Sequence, residues 1–350
     1  MKKVISLALV FVFVLAFFGC AKKEAPTTTQ TTTTTETTTE PVKVVNPLTG
    51  SEDYNEKAVG KRPVAIVVEN LSPARPQWAI GSSDIIVEGE VEGGISRMLW
   101  LYADYTDVPE KVGPIRSARP SFIQFSELFD SIYVHWGGSH DNKGYKGGYT
   151  VIKEDKVDHI DGMKGGELYG RDETRKGKVS SEHRGIVKGN KLPSVIKEKG
   201  FRTNLDKSKF SSLEFNDEAQ APGDVTANTV RCQFSSKTDT RKFTYSEDGK
   251  KYHTQDWRKD VKFTNVIILK DETKYIHVPY KGHTTTYLNY QFTGGVGFWA
   301  SQGKISRINW AIENGKLVLK DKQGNPLKIN KGKSYIGLAS ANNEGVVSYE

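Results

Sequence analysis

The chain has 350 residues, which is enough for two ordinary domains with cores of their own. Its formal net charge is +8, because 50 lysines and arginines outnumber 42 aspartates and glutamates. The two signs are interleaved along most of the chain, which is typical of a solvated surface and argues against a nucleic-acid partner. A mildly basic surface instead favours anionic cell-surface polymers or lipid headgroups.

The N-terminus is typical of an export signal. Two lysines precede an apolar segment, residues 4–18, which is too short to span a bilayer comfortably. Gly19 and Cys20 follow, and the pattern resembles a bacterial lipoprotein signal, in which the cysteine is lipidated and becomes the mature N-terminus. An ordinary secretory signal with a chance cysteine is the alternative. We predict a signal over residues 1–20, a lipid anchor on Cys20, and a location on the extracytoplasmic face of the cell membrane.

Residues 21–45 are predicted to be a disordered stalk. Eleven threonines lie between positions 27 and 39, and almost no apolar residue occurs before Val42. Such a segment cannot bury enough surface to offset the conformational entropy of the chain. The first folded domain is therefore expected to begin near residue 46.

Two segments at the start of this domain are typical of strands. Residues 63–68 are continuously apolar, as in a central strand. Residues 84–92 partly alternate, so that Glu88, Glu90 and Glu92 are predicted to share one face, and two glycines then form a hairpin turn. A solvated sheet face is one interpretation of these glutamates. The other is a functional one, either a cation site or an acid/base pair.

Two arginines, Arg116 and Arg119, lie between a predicted buried strand and a predicted helix. The apolar residues over 122–129 fit one face of a short helix. Pro120 suits the first helical turn, and Ser117 is a candidate cap. The guanidinium groups, together with the free N–H groups at a helix start, suit an anion.

A further predicted strand, residues 131–136, ends in a glycine-containing loop. If it is parallel to the strand predicted over 98–105, the connection is right-handed and both carboxyl ends meet at the edge where open α/β sheets bind ligands. We therefore predict an anion-binding rim, to which His135 would add a hydrogen bond or a proton-transfer group. The alternative is that the arginines are structural and pair with internal carboxylates. The predicted ligand-binding residues are Arg116, Ser117, Arg119, His135, Gly137, Gly138 and Ser139, and the candidate catalytic residues are Glu88, Glu92 and His135.

The sequence contains none of the common catalytic or nucleotide-binding motifs. There is no Gly-x-Ser-x-Gly, P-loop or dinucleotide fingerprint, and the seven histidines lack the close spacing of a metal site. We expect no cofactor and no metal. Cys232, the one cysteine besides Cys20, lies in an alternating segment and is predicted to be a buried core thiol.

The rest of the chain is predicted to be mainly β. A polar segment, residues 205–224, is the candidate linker, although an ordinary surface loop fits equally well. The sequence from 225 to 350 contains β-prone runs and turn signals, including a hairpin around residues 241–253. The predicted fold class is α+β, with an N-terminal mixed α/β domain of layered sheet and helix over 46–204, followed by a mainly β C-terminal domain over 225–350.

Several motifs are distributed over most of residues 60–340. They are residues 74–77, 91–97, 112–119 and 133–139, a weaker one at 169–172 with His183, and residues 297–299 and 321–327. These motifs resemble those of the YerB-like lipoproteins, a bacterial family whose function is not established. The resemblance implies a first domain of mixed α/β layers and supplies no substrate.

One function is preferred and two alternatives stay open. We expect a lipid-anchored extracytoplasmic protein that binds an anionic cell-envelope ligand, such as a wall polymer or a phosphate-bearing molecule, through Arg116 and Arg119. The alternatives are an envelope hydrolase or transferase, and a scaffold for protein partners. The sequence does not decide whether the chain is an enzyme.

Overall fold

The computed structural model describes residues 44–280 and 282–350. The predicted signal, the lipidation site at Cys20 and nearly all of the predicted stalk lie outside these residues. The described residues belong to one compact unit. No helix within them is long and apolar enough to cross a membrane.

The N-terminal half alternates short strands with three short helices. The strands are β1 Val64–Glu69, β2 Ile85–Glu90, β3 Ser96–Tyr102, β4 Ile132–His135, β5 His159–Asp161, β6 Tyr169–Arg171 and β7 Gly185–Val187, and the helices are α1 Pro120–Glu127, α2 Gly148–Glu154 and α3 Leu192–Glu198.

The C-terminal half is almost entirely β, as predicted, and the fold class α+β is confirmed. Its strands are β8 Glu214–Phe215, β9 Val225–Thr226, β10 Thr229–Gln233, β11 Thr240–Ser246, β12 Lys251–Thr254, β13 Val261–Phe263, β14 Asn265–Asp271, β15 Thr273–Tyr280, β16 His283–Tyr290, β17 Gly295–Ser301, β18 Lys304–Glu313, β19 Lys316–Lys320, β20 Lys328–Ile329, β21 Ser334–Ser340 and β22 Val346–Tyr349.

One sheet of eleven strands combines the two halves. Its order is β19-β18-β17-β14-β21-β2-β3-β1-β4-β5, and β9 pairs with β18. β21 lies between β2 and β14 and is parallel to both. A second sheet has the order β13-β12-β11-β10-β22, whereas β15 and β16 form a separate hairpin.

The large sheet is covered on both faces, which explains why β1 is continuously apolar. Val64, Ile66 and Val68 join one buried cluster, whereas Ala65 and Val67 join the other. The second cluster also contains the phenylalanines of α1. Cys232 is fully buried in the first cluster, as predicted.

The predicted rim assumed that the strands before and after the arginines are parallel, and this condition is not met. β3 is antiparallel to β1, and β1 is parallel to β4, so the strand before the arginines and the strand after them run in opposite directions. The chain instead returns along the sheet, because Ile115 forms a β-bridge with Val68. The arginines therefore reach the carboxyl ends of β1 and β4 by a different path.

Helix α1 begins at Pro120, as predicted, but Ser117 does not cap it. The N-cap residue is Arg119, and its side chain makes no capping hydrogen bond. The Ser117 hydroxyl donates to the carbonyl oxygen of Trp136 at 3.2 Å. The start of the helix follows from a local preference of proline. The partner of the Ser117 hydroxyl is distant in sequence, so no local pattern predicts it.

The segment 205–224 is partly packed into the molecule. Phe210 is buried, and its ring centroid lies 6.0 Å from that of Phe129 in the N-terminal half. β8 within this segment pairs with β20. Because strands from both sides of the segment share the large sheet, its role as a linker stays a prediction.

Candidate functional site

A group of charged side chains gathers where β1 and β4 end. The segment from Arg116 to Arg119 lies between these strand ends and the loop that follows β4, residues 136–140, which we call the Gly137 loop. The Arg116 N–H donates to the Val67 carbonyl oxygen at 3.0 Å, and the Ala118 N–H donates to the Gly137 carbonyl oxygen at 2.8 Å. We refer to Glu69, Glu92, Arg97, Arg116 and Arg119 as the arginine cluster.

Arg116 shares its carboxylate with a histidine. Its Nε lies 3.4 Å from Glu69 Oε1, which is also 2.9 Å from His183 Nδ1. Glu69 is 2% exposed, and its Oε2 is buried without a hydrogen-bond partner among the described residues. The Arg116 side chain is 22% exposed, so one carboxylate oxygen faces it from inside and solvent reaches it from outside.

Arg119 is held more tightly. Its Nε donates to both carboxylate oxygens of Glu92 at 2.8 Å, and its Nη2 also contacts Glu92 Oε1. Burial by itself would raise the pKa of Glu92, but the hydrogen bonds and charge of Arg119 outweigh burial and lower it to about 2. Both predicted arginines therefore pair with internal carboxylates, which is the structural alternative stated above.

Arg97 is the most buried of the three arginines. It is 4% exposed, pairs in register with Glu69 across β1 and β3, and donates from Nη1 to the Ser117 carbonyl oxygen at 3.0 Å. Burial, and then the neighbouring charges of Arg119 and Arg116, lower its pKa to about 9. Three guanidinium groups thus face two carboxylates, and the arginine cluster has an excess of positive charge.

The Gly137 loop forms a wall of the cluster, and its polar groups mostly stabilise the loop itself. Gly137 has a φ of +78°, and a Cβ there would come 3.2 Å from Ser117 Oγ. Its N–H donates to Asp161 at 2.8 Å. Ser139 is buried, and its hydroxyl hydrogen-bonds Tyr145 and the Gly148 N–H. Gly138 is half-buried and packs against Tyr149.

His135 does not reach the surface of this site. Its side chain is fully buried, with Nδ1 2.7 Å from the Gly137 carbonyl oxygen and Nε2 2.8 Å from His159 Nδ1. Burial lowers the pKa of His135. The expectation that His135 contacts a ligand or transfers its proton is therefore corrected, because both ring nitrogens are engaged. His159, which the sequence analysis did not single out, is its partner.

The three glutamates do not form a solvated sheet face, so the first of the two interpretations of these residues is wrong. Glu88 is fully buried and pairs with Arg241, with Arg241 Nε 2.8 Å from Oε1. It also accepts hydrogen bonds from Asn70, Ser96 and Tyr335. Glu92 lies beyond β2, in a short 3₁₀ turn. Glu88 and Glu92 belong to different ion pairs, so the structure gives no support to an acid/base pair between them.

Sequence reasoning missed Glu69 and Arg97 as members of the site. Both are strand-end residues that a pattern of alternation leaves unremarkable, although Arg97 lies inside one of the motifs. His183 was recognised only weakly. The available signal was the occurrence of charged residues at the ends of otherwise apolar strands.

Comparisons with known proteins identify the family. Residues 48–202 match the family described as "Protein of unknown function (DUF3048) N-terminal domain", and residues 224–336 match its C-terminal domain. The chain belongs to this family, and the expected resemblance is confirmed.

Two comparisons, one of sequences and one of structures, match YerB of Bacillus subtilis. The chain is 28% identical over 343 residues to the protein of strain 168 named "Putative lipoprotein YerB", which covers 95% of this chain and 93% of the relative. It is also similar to the crystal structure of the YerB protein of Bacillus subtilis, with a TM-score of 0.68 and 26% identity over 87% of this chain and 100% of that one. The relative's name indicates a lipoprotein and states no ligand or reaction.

Proposed function

We propose that this chain is a lipid-anchored extracytoplasmic protein that binds an anionic envelope ligand at the arginine cluster, through Arg116. The observation that carries the proposal is the excess positive charge, with three arginines against two glutamates. Arg116 is the member whose guanidinium is both partly exposed and held by a single carboxylate.

An anion would reduce the cost of this arrangement. Burial is the main cause of the lowered pKa of Arg97, and the charges of Arg119 and Arg116 lower it further, so the three arginines carry like charges close together in a buried setting. A carboxylate or phosphate accepts two parallel hydrogen bonds from a guanidinium, and each charge-assisted hydrogen bond contributes about 1.5–3 kcal/mol. Arg119 would contribute mainly charge, because Glu92 already occupies its hydrogen-bonding edge.

The test measures the affinity of the purified protein for inorganic phosphate and for citrate by titration calorimetry. Arg116→Ala should weaken binding about tenfold or more, because about 1.4 kcal/mol corresponds to a factor of ten. Arg116→Lys should recover only part of the lost affinity, since lysine lacks the planar guanidinium that donates two parallel hydrogen bonds. Arg307→Ala is the matched control, because Arg307 is exposed on β18.

The same variants test the structural alternative. If Arg116 only neutralises Glu69, Arg116→Ala should lower the melting temperature sharply, and the parent protein should bind neither anion. That pair of results would contradict the proposed function.

The lipid anchor has its own test. Cys20→Ser should release the protein from the membrane fraction into the soluble fraction, because an acyl chain contributes about 0.8 kcal/mol per buried methylene. Cys232→Ser is the control for loss of a thiol. Unchanged membrane partition of the Cys20 variant would contradict lipidation at this position.

A hydrolase or transferase is a second candidate, favoured by one observation. Glu69 and His183 form a buried carboxylate–histidine pair beside Arg116. In such a pair the carboxylate orients the imidazole, which can then act as a general base. Release of soluble fragments from cell-wall material, abolished by His183→Asn, would support it. Equal release by the variant and the parent would contradict it.

A further inference from the structure

A cavity of about 420 Å³ adjoins the arginine cluster. It lies between the 3₁₀ turn at Glu92–Gly94 and the β15–β16 hairpin. Glu92 links the two sites, because its carboxylate pairs with Arg119 and it also lines the cavity. The cavity is also lined by Glu90, Lys237, Tyr275, Thr284, Thr285 and Thr286.

Glu90 provides a buried acceptor that the protein does not use fully. The residue is 2% exposed. Its Oε2 accepts a hydrogen bond from the Tyr275 hydroxyl at 2.6 Å, and its backbone N–H donates to the Tyr290 hydroxyl at 2.9 Å. Its Oε1 is buried without a hydrogen-bond partner among the described residues. A buried carboxylate oxygen without a donor is costly, and a donor on a ligand would remove that cost.

The cavity lining also provides hydroxyl groups, a ring and an amine. Thr285 and Thr286 are half-buried on β16, and the Thr286 hydroxyl already contacts His277 at 3.0 Å. Lys237 Nζ lies 5.2 Å from the centroid of the Tyr275 ring. Glu92 is paired with Arg119, and the other two charged residues of the lining, Glu90 and Lys237, have opposite signs, so the cavity as a whole does not favour a cation.

We propose that this cavity binds a sugar ring of the anionic ligand. A sugar hydroxyl donates to a carboxylate oxygen such as Glu90 Oε1, accepts from threonine or lysine, and leaves its C–H face for an aromatic ring. A volume of about 420 Å³ suits one or two such rings. The inference rests on the proposed function, since the charged substituent of the sugar would face the arginine cluster across Glu92.

The experiment compares four probes by calorimetry: inorganic phosphate, N-acetylglucosamine, N-acetylglucosamine 1-phosphate and phosphoethanolamine. The sugar phosphate should bind at least tenfold more tightly than inorganic phosphate. Glu90→Gln and Thr285→Val should remove most of this advantage and leave phosphate affinity unchanged. Arg116→Ala should weaken both anions. Thr244→Val, at an exposed position of β11, is the matched control for the threonine change.

The outcomes separate the two proposals. Binding of phosphate with no gain from the sugar overturns the sugar site and leaves the anion site standing. Binding of the neutral sugar, lost in Thr285→Val, without any phosphate binding supports the sugar site and overturns the anion site. Tighter binding of phosphoethanolamine than of phosphate, without tighter binding of the sugar phosphate, overturns the inference. Glu90 Oε1 would then accept a hydrogen bond from an amine and not from a sugar.

Discussion

At the level of single residues, the ion pairs of this protein differ mainly in how far they are buried. Glu88 and Arg241 are almost completely removed from solvent, whereas Glu313 and Lys320 are 46% and 33% exposed. Breaking a buried pair leaves an uncompensated charge, but breaking an exposed one leaves a charge that water still solvates.

We therefore predict very different costs for two alanine substitutions. Glu88→Ala should lower the free energy of unfolding by about 3–5 kcal/mol, because Arg241 would remain buried without its carboxylate. Glu313→Ala should change it by about 1 kcal/mol or less. Urea unfolding measures both, and similar small effects would contradict the assignment of Glu88 to a structural role.

The buried histidine pair should make stability depend on pH. Burial lowers the pKa of both His135 and His159, and for His159 burial together with the charge of His135 brings it to about 4. In the unfolded chain these rings bind protons near their ordinary pKa of 6.5. Their contribution to stability is therefore complete above pH 6.5 and is lost as the pH falls towards 4.

The measurement is the free energy of unfolding between pH 7.5 and pH 5. His159→Gln should flatten the decrease, because one of the two rings that resist protonation is removed. His277→Gln, on the exposed side of β15, should keep the parent profile. An unchanged slope in the His159 variant would mean that other groups cause the pH dependence.

At the level of elements, α1 connects the two halves of the chain. Its start at Pro120 follows from a local preference, and its apolar face packs against the large sheet. The Phe125 ring lies 6.0 Å from that of Phe129 and 6.1 Å from that of Phe292, in the C-terminal half. The helix also positions Arg119, its N-cap residue, in the arginine cluster.

Removing the Phe125 ring should strongly destabilise the folded protein. Phe125→Ala is expected to lower the free energy of unfolding by about 3–5 kcal/mol, because the ring is fully buried and leaves a cavity. Gln124→Ala, on the exposed face of the same helix, should change it by about 0.5 kcal/mol or less. If both variants unfold at the parent's urea midpoint, α1 is not part of the cooperative core.

At the level of the whole molecule, β21 joins parts of the chain that the sequence suggested to be separate domains. It pairs along its full length with β14 and over Ile85–Gly89 with β2. Neither half can complete its sheet without the other, because removing β21 would expose an unpaired edge of β2.

We therefore predict a single unfolding transition for the described part of the chain. Tryptophan fluorescence and far-UV circular dichroism should give coincident urea curves, since Trp100 and Trp299 lie in the same sheet on opposite sides of β21. Two resolved transitions would show that the halves fold independently and would support a true linker at 205–224.

The sequence by itself determined the features that depend on local periodicity and local conformational preference. Apolar runs placed β1 and β4, Pro120 placed the start of α1, and alternation indicated that Cys232 is buried. Turn signals and β-prone runs predicted the β character of the C-terminal half. These predictions hold because burial of a strand or helix face requires the same pattern in any fold.

Only the tertiary structure decided which charged residues meet. Glu69, Arg97, Arg116 and His183 come from separate segments, and no local rule relates them. The same is true of β21, whose two neighbours in the sheet lie far from it in the chain. Pairing partners are chosen by the packing of the whole molecule, because a buried charge is tolerated only where the complete fold brings it a partner.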